Sequence, residues 1–330
     1  MTDGDSHTGA KPVGQVDALA VPRFAGLRTF ARLPTVDQVE RVDVGVLGAP
    51  FDSAATFRAG ARFGPAAIRE ASLLLRPYNE RQGVSPFAAV QVADAGDAPA
   101  SPIEVERAHA AIEAAARELT DRGARVLGLG GDHSVALPLL RAAAAAHGPL
   151  SLLQLDAHTD TWDSYFGARF THGTIFRRAV EEGIVDAAAS VQIGLRGSLY
   201  AESDLAENRE LGFATLLARE FDEAGVGGAL ELVAARLRSP VYVSVDVDVL
   251  DPAFAPGTGT PEAGGLSTRE LLAILAGLSE LDIEPAGADV VEVSPPYDPS
   301  GITAIAAANA AYELLGLLAQ VEPGRSTSSR

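Results

Sequence analysis

The 330-residue sequence predicts an α/β protein, a three-layer α/β/α sandwich around a mostly parallel sheet. Two observations carry this expectation. From about Val42 to Leu318, short β-branched or leucine-rich runs alternate with alanine-rich stretches of helical length, the pattern of successive βα units. The short runs are also nearly continuous in apolar residues, which suits interior strands covered by helices on both faces.

The elements follow in order. Val44 to Gly48 reads as the first strand, with a helix over Gly64 to Leu75. A long helix over Ile103 to Arg122 leads to a strand at Arg125 to Leu129, a helix at Val135 to His147 and a strand at Leu150 to Leu155. Strands at Val191 to Gly194 and Val241 to Val245 bracket a helix over Gly225 to Leu237. The pattern closes with a helix at Thr268 to Leu278, a strand at Ala288 to Val293 and a helix at Ile302 to Leu318. No linker or internal repeat interrupts it, so residues 21–320 read as one domain. Residues 1–20 and the Ser-, Arg- and Gly-rich tail 321–330 have the composition of frayed or disordered ends.

Composition narrows the chemistry. With 26 basic and 44 acidic side chains the net charge is -18, which repels a phosphate backbone, so no nucleic-acid partner is expected. The N-terminus lacks the basic start and apolar run of a secretory signal. Apolar stretches such as Gly301 to Tyr312 fall short of the ~18 uncharged residues of a spanning helix, so no membrane association and a cytoplasmic location are expected. The chain has no cysteine, which excludes thiolate nucleophiles and thiolate metal sites; any metal must sit on imidazole and carboxylate.

Those groups gather at strand ends. His133 lies in Gly130-Gly131-Asp132-His133-Ser134, His158 in Asp156-Ala157-His158-Thr159-Asp160, and His172 in Thr171-His172-Gly173-Thr174; Asp246 and Asp248 close the run from Val241. His7, His109 and His147 read as surface residues. The carboxyl edge of a parallel sheet is where such folds place ligands. One aspartate after a strand is an ordinary helix cap, but four at one edge call for a cation. At i and i+2 on extended backbone, Asp246 and Asp248 point to one side, and Asp156, His158 and Asp160 repeat that spacing. Two imidazoles and four carboxylates suffice for two divalent ions; the sulfur-free set suits Mn²⁺ and leaves Fe²⁺, Co²⁺, Ni²⁺ and Zn²⁺ open. Neither a complete G-x-G-x-x-G nor a G-x-S-x-G elbow occurs, so nucleotide binding and serine hydrolysis lack support.

These four separated motifs resemble those of the ureohydrolase family, the arginases and agmatinases, over about Arg23 to Leu318. The agmatinase-like branch is indicated by Arg58 to Pro65, Phe170 to Thr174, Gly194 to Tyr200 and Pro252 to Pro261. The resemblance implies an arginase-like fold and two Mn²⁺ per subunit. His133, Asp156, Asp160 and Asp246 would bind one ion, while Asp156, His158, Asp246 and Asp248 would bind the other. It implies hydrolysis of agmatine to putrescine and urea, a polyamine-forming reaction, by water activated between the ions. Asp160 and His172 would move protons, and Glu292 would hold the guanidinium, a role that paired charge-assisted hydrogen bonds suit. It also implies a homotrimer or homohexamer.

The entrance departs from the usual pattern at Ala54, Ala55, Ala59 and the loop Thr161 to Arg169, which leaves the substrate tail open. Asp163 there could favour a second positive charge, as in agmatine. Arg169 could instead seat the carboxylate of 4-guanidinobutanoate, and proclavaminate amidinohydrolase and guanidine hydrolase, which resemble this branch too, are further alternatives. Arg58 and Arg62 read as loop anchors, and Trp162, the one tryptophan, reads as packing beside the metal loop. The alternative of another class is a catalytically silent binding protein, which predicts a lost ligand.

Overall fold

The structure, a computed structural model, describes residues 11–201 and 203–320. Within them eight strands form one sheet: β1 (Val44–Ala49), β2 (Val92–Asp97), β3 (Arg125–Gly130), β4 (Ser151–Leu155), β5 (Val191–Leu195), β6 (Ala214–Leu217), β7 (Val241–Asp246) and β8 (Pro285–Val291). All pairings are parallel, in the order β2-β1-β3-β8-β7-β4-β5-β6. The helices are α1 (Gly64–Ser72), α2 (Pro86–Ala89), α3 (Val105–Thr120), α4 (Ala136–His147), α5 (Ile175–Glu181), α6 (Ser203–Glu210), α7 (Ala218–Arg236), α8 (Thr268–Gly277) and α9 (Ile302–Ala319).

Period-two alternation explains the three layers. Val241, Val243 and Val245 of β7 join the core under α1, α7, α8 and α9, whereas Tyr242 joins the core under α3, α4 and α5. Every residue of β1, β4, β5, β7 and β8 is buried. These strands therefore read as apolar runs rather than as alternating ones.

Differences from the sequence reading have local causes. The two unanticipated strands, β2 and β6, are sheet edges with partly exposed residues, so their apolar signal is diluted. Helix α7 starts seven residues earlier than its apparent start at Gly225, whose φ of 61° interrupts it. Residues 11–20 are tied to the body: the amide of Gln91 bonds both backbone groups of Val13, and Val16 donates to Arg32. The expected tails over 1–10 and 321–330, with His7, lie outside the described residues. By length and mean hydropathy (1.5) Pro299–Ala319 would suffice to cross a membrane, yet 83% of that window is buried in the protein. The helix is the core of one layer.

The chain crosses from β3 to β4 across the two strands formed last, β8 and β7. Four neighbouring strands, β3, β8, β7 and β4, thus present their carboxyl ends side by side at the switch in strand order.

Candidate metal centre

Each of those four ends carries part of the site. After β3, Gly131 brings the chain so close to β1 that a Cβ there would meet the Phe51 carbonyl at 1.8 Å. Asp132 then caps the turn His133–Val135 through Ser134 N–H (3.0 Å) and also accepts Ala54 N–H (2.9 Å). His133 is fixed at the sheet edge as a result.

The aspartates divide their oxygens between backbone and a common space. Asp156 Oδ1 accepts His158 N–H (2.7 Å), Asp246 Oδ1 accepts Asp248 N–H (2.8 Å), and Asp248 Oδ1 accepts Ala157 N–H (3.0 Å). The second oxygens face the imidazoles. His133 Nδ1 lies 2.9 Å from Asp160 Oδ2, 3.0 Å from Asp156 Oδ2 and 3.3 Å from Asp246 Oδ2, yet makes no aligned hydrogen bond. His158 Nδ1 lies 3.0 Å from Asp248 Oδ2 and 3.6 Å from Asp156 Oδ1. Two ligand groups emerge, His133-Asp156-Asp160 and Asp156-His158-Asp248, and they share Asp156.

This donor set fits metal ions. Burial and the neighbouring carboxylates push Asp246 far above the usual carboxylate range, and burial with the Asp156 charge raises Asp160 to about 6. Burial alone would lower His133, but Asp156, Asp160 and Asp246 hold it well above its ordinary value. Buried acids that cannot all ionise, around an unpartnered imidazole nitrogen, are relieved by divalent cations.

A relay of polar groups lies beneath the ligands. His133 Nε2 sits 2.8 Å from Ser244 Oγ, which donates to Asp289 Oδ1 (2.7 Å); Tyr242 donates to Asp289 Oδ2 (2.8 Å). On the other side Gln154 donates to Asp156 Oδ2 (2.7 Å) and accepts from Gln192. The sequence reading missed this layer. Its signal was a polar residue two positions before the ligand, Gln154 before Asp156 and Ser244 before Asp246, on the same strand face, together with a buried acid, Asp289, inside the apolar run of β8.

Glu292 follows β8 in the left-handed region (φ 67°) and is fully buried. Its Oε1 accepts His133 N–H (2.9 Å) and lies 3.3 Å from His172 Nδ1, while Oε2 has no partner. Gly259 faces that free oxygen, and a Cβ there would stand 2.8 Å from it. His172 Nε2 meets Thr56 Oγ1 at 2.7 Å. Burial opposes its charge, but Glu292 and Asp160 raise it to about 9.

A cavity of about 260 Å³ opens above the ligands, lined by Thr56, His158, Asp160, Trp162, Tyr165, His172, Ser198, Leu199, Tyr200, Thr260 and Glu262 among others. A larger cavity, about 750 Å³, lies between residues 11–23 and the ends of α1 and α2; it contains none of the ligand residues.

Four readings need correction. Asp163 does not line the pocket: its carboxylate is turned away to Arg178 (2.8 Å) and Arg169 (3.6 Å). Arg169 is held by Glu181 (2.8 Å) rather than free to seat a carboxylate. Asp246 and Asp248 do not share one extended stretch, because the Asp246 side chain caps the turn Val247–Val249 that contains Asp248. His109 is buried, not at the surface, between Phe51 and Phe170 and 3.2 Å from Ser134 Oγ. As expected of an anchor, Arg62 pairs with buried Asp52, whose second oxygen accepts Gly60 N–H. Arg58 stacks on Tyr297, its guanidinium carbon 4.9 Å from the ring centre.

A doubly covered parallel sheet whose carboxyl edge holds two imidazoles and four acids beside a pocket of small-molecule size defines a candidate divalent-metal site of an α/β protein. Residues 42–316 match the model of the arginase family. The guanidinopropionase of Pseudomonas aeruginosa is 47% identical over 92% of this chain and 96% of its own. The solved proclavaminate amidinohydrolase of Streptomyces clavuligerus superposes with a TM-score of 0.85 at 45% identity, covering 90% of this chain and 99% of that one. Trypanosoma cruzi formiminoglutamase, solved with Mn²⁺, superposes at 0.79 with 26% identity over 88% of this chain and 98% of that one. The chain belongs to the arginase family. It is an amidinohydrolase that cleaves a C–N bond of guanidino compounds.

Proposed function

We propose that this enzyme hydrolyses a short guanidino acid to urea and the corresponding amino acid, with two Mn²⁺ held by His133, Asp156, His158, Asp160, Asp246 and Asp248. The observation that carries the acid tail is the 47% identity to a guanidinopropionase along almost the whole chain. The agmatine favoured by the motifs gives way on that ground. The pocket supports this reading: hydroxyls of Thr56, Tyr165, Ser198, Tyr200 and Thr260 line it, and such O–H groups can donate to a carboxylate.

When bound, the metal pair supplies the activation of water near neutral pH. The protein's residues supply the rest. Glu292 offers its unpartnered Oε2 to the guanidinium N–H groups and places the carbon over the ligand cluster. Asp160, at the floor of the pocket, accepts a proton as water adds to that carbon. The C–N bond to the alkyl nitrogen then breaks, and that nitrogen needs a proton to leave as an amine. His172 is protonated at neutral pH, lines the same pocket and provides it.

One observation favours agmatine as a second reading: Glu262 lines the pocket with no ion-pair partner among the described residues, and a cationic tail would neutralise it. Urea release by the manganese-loaded enzyme from 3-guanidinopropionate, 4-guanidinobutyrate, agmatine and arginine separates the two. The expected result is the highest kcat/KM for a guanidino acid. A higher value for agmatine overturns the acid tail and leaves the second reading.

A further inference from the structure

The most buried arginine among the described residues takes no part in the chemistry just described. Arg178 on α5 is 2% exposed, and two of its nitrogens, Nε and Nη1, have no partner. Such burial of a guanidinium is costly unless the contact that it does make matters. Its Nη2 holds Asp163 Oδ1 at 2.8 Å and Glu181 Oε1 at 3.0 Å. Asp163 belongs to the loop 161–169, which carries Trp162 and Tyr165 into the pocket wall.

The same short helix, with Thr174 just before it, grips that loop at both ends. Phe176 N–H donates to Asp160 O at the start (3.0 Å), and Arg177 Nε donates to Thr161 O (2.7 Å). At the far end Thr174 Oγ1 donates to Arg169 O (2.8 Å), and Glu181 holds the Arg169 side chain (2.8 Å). Between these grips Asp163 ties the middle to Arg178, and the Tyr165 hydroxyl meets the Tyr200 hydroxyl at 2.7 Å within the wall itself. The Trp162 ring lies on Gly173, where a Cβ would stand 2.9 Å away, and packs 4.9 Å from Tyr165 and 5.6 Å from Tyr200 between ring centres. Moving the middle of the loop moves this aromatic wall.

We infer that Arg178 and Asp163 form a positioning pair that sets the aromatic wall of the pocket and thereby controls binding of the substrate tail, not the hydrolytic step. The tail component rests on the guanidino-compound reading above. The wall component does not, and the sole tryptophan of the chain reports it directly.

The test uses the full-length, manganese-loaded enzyme and the variants Asp163→Asn, Asp163→Glu and Arg178→Met. Acrylamide quenching of Trp162 fluorescence is expected to rise about twofold in Asp163→Asn as the ring loses its fixed packing. KM for the preferred guanidino compound is expected to rise about tenfold with kcat within about twofold, the signature of lost ground-state binding. Asp163→Glu is expected to recover part of both changes. Asp163 is exposed, so its variants test the pair even if Arg178→Met fails to fold. Unchanged quenching in Asp163→Asn overturns the positioning pair. Raised quenching with unchanged KM, or a loss confined to kcat, overturns its control of the tail. A wild-type enzyme inactive on every guanidino compound would instead refute the proposed function, while the quenching comparison would still decide the wall.

Discussion

His109 offers a quantitative test of the architecture behind the metal ligands. Burial, reinforced by the Arg141 charge, lowers its pKa from 6.5 to about 4. The sign follows from linkage: above pH 6.5 neither folded nor unfolded chain binds the proton, so stability is fully present there. As pH falls, the unfolded chain protonates first, and stability drains until the folded chain also protonates near pH 4. Between pH 7 and pH 5 this one residue removes about 2 kcal/mol, rising to about 3 kcal/mol at lower pH. His109→Gln keeps a polar group near Ser134 but cannot titrate. Urea unfolding of both proteins, freed of metal with chelator and run at pH 7 and pH 5, isolates the effect, because the other titrating groups largely cancel. The variant starts less stable, yet its loss on acidification is expected to be smaller by about 2 kcal/mol. Equal losses in the two proteins would refute the buried, neutral imidazole.

Three further outcomes follow from the site. Asp289→Asn removes the carboxylate that holds Ser244 against His133; manganese affinity, measured by chelator competition, is expected to fall about 10- to 100-fold, and unchanged affinity would remove the relay from the site. Glu292→Gln keeps the shape but not the charge of the guanidinium partner, so kcat/KM is expected to drop about 100-fold or more while the protein still loads metal; near wild-type turnover would contradict the assignment. Activity is expected to rise from pH 7 and to fall again beyond about pH 9 as His172 loses its proton, and His172→Asn is expected to lack the alkaline fall; an identical profile in the variant would exclude His172 as the proton donor.

Much of this was legible in the sequence because the ligands sit where apolar strands stop. Asp156 and Asp246 follow runs that can only be interior strands, so the carboxyl edge, and with it the cluster, was visible before any coordinates. Local geometry was less visible. An i, i+2 spacing points two side chains the same way only on extended backbone, and the Asp246 carboxylate bends its own chain by capping Asp248 N–H. Asp163 looked like a pocket residue because its true partner, Arg178, stands fifteen residues later on a helix with no strong apolar pattern. His109 was hidden by its own polarity, although the helix is amphipathic and Ile112 and Ala116, three and seven residues on, share its buried face.

The placement of β8 in the middle of the sheet has a bearing on how the enzyme is born. It lies between β3 and β7, which have no direct pairing with each other, and it is the last strand to leave the ribosome. Without β8 the sheet falls into two halves with no seam to join them: His133 belongs to the β2-β1-β3 half, while Asp156, His158, Asp160, Asp246 and Asp248 belong to the β7-β4-β5-β6 half. The group His133-Asp156-Asp160 is therefore assembled only when β8 has joined the two halves, so closing the sheet and completing the ligand cluster are one event.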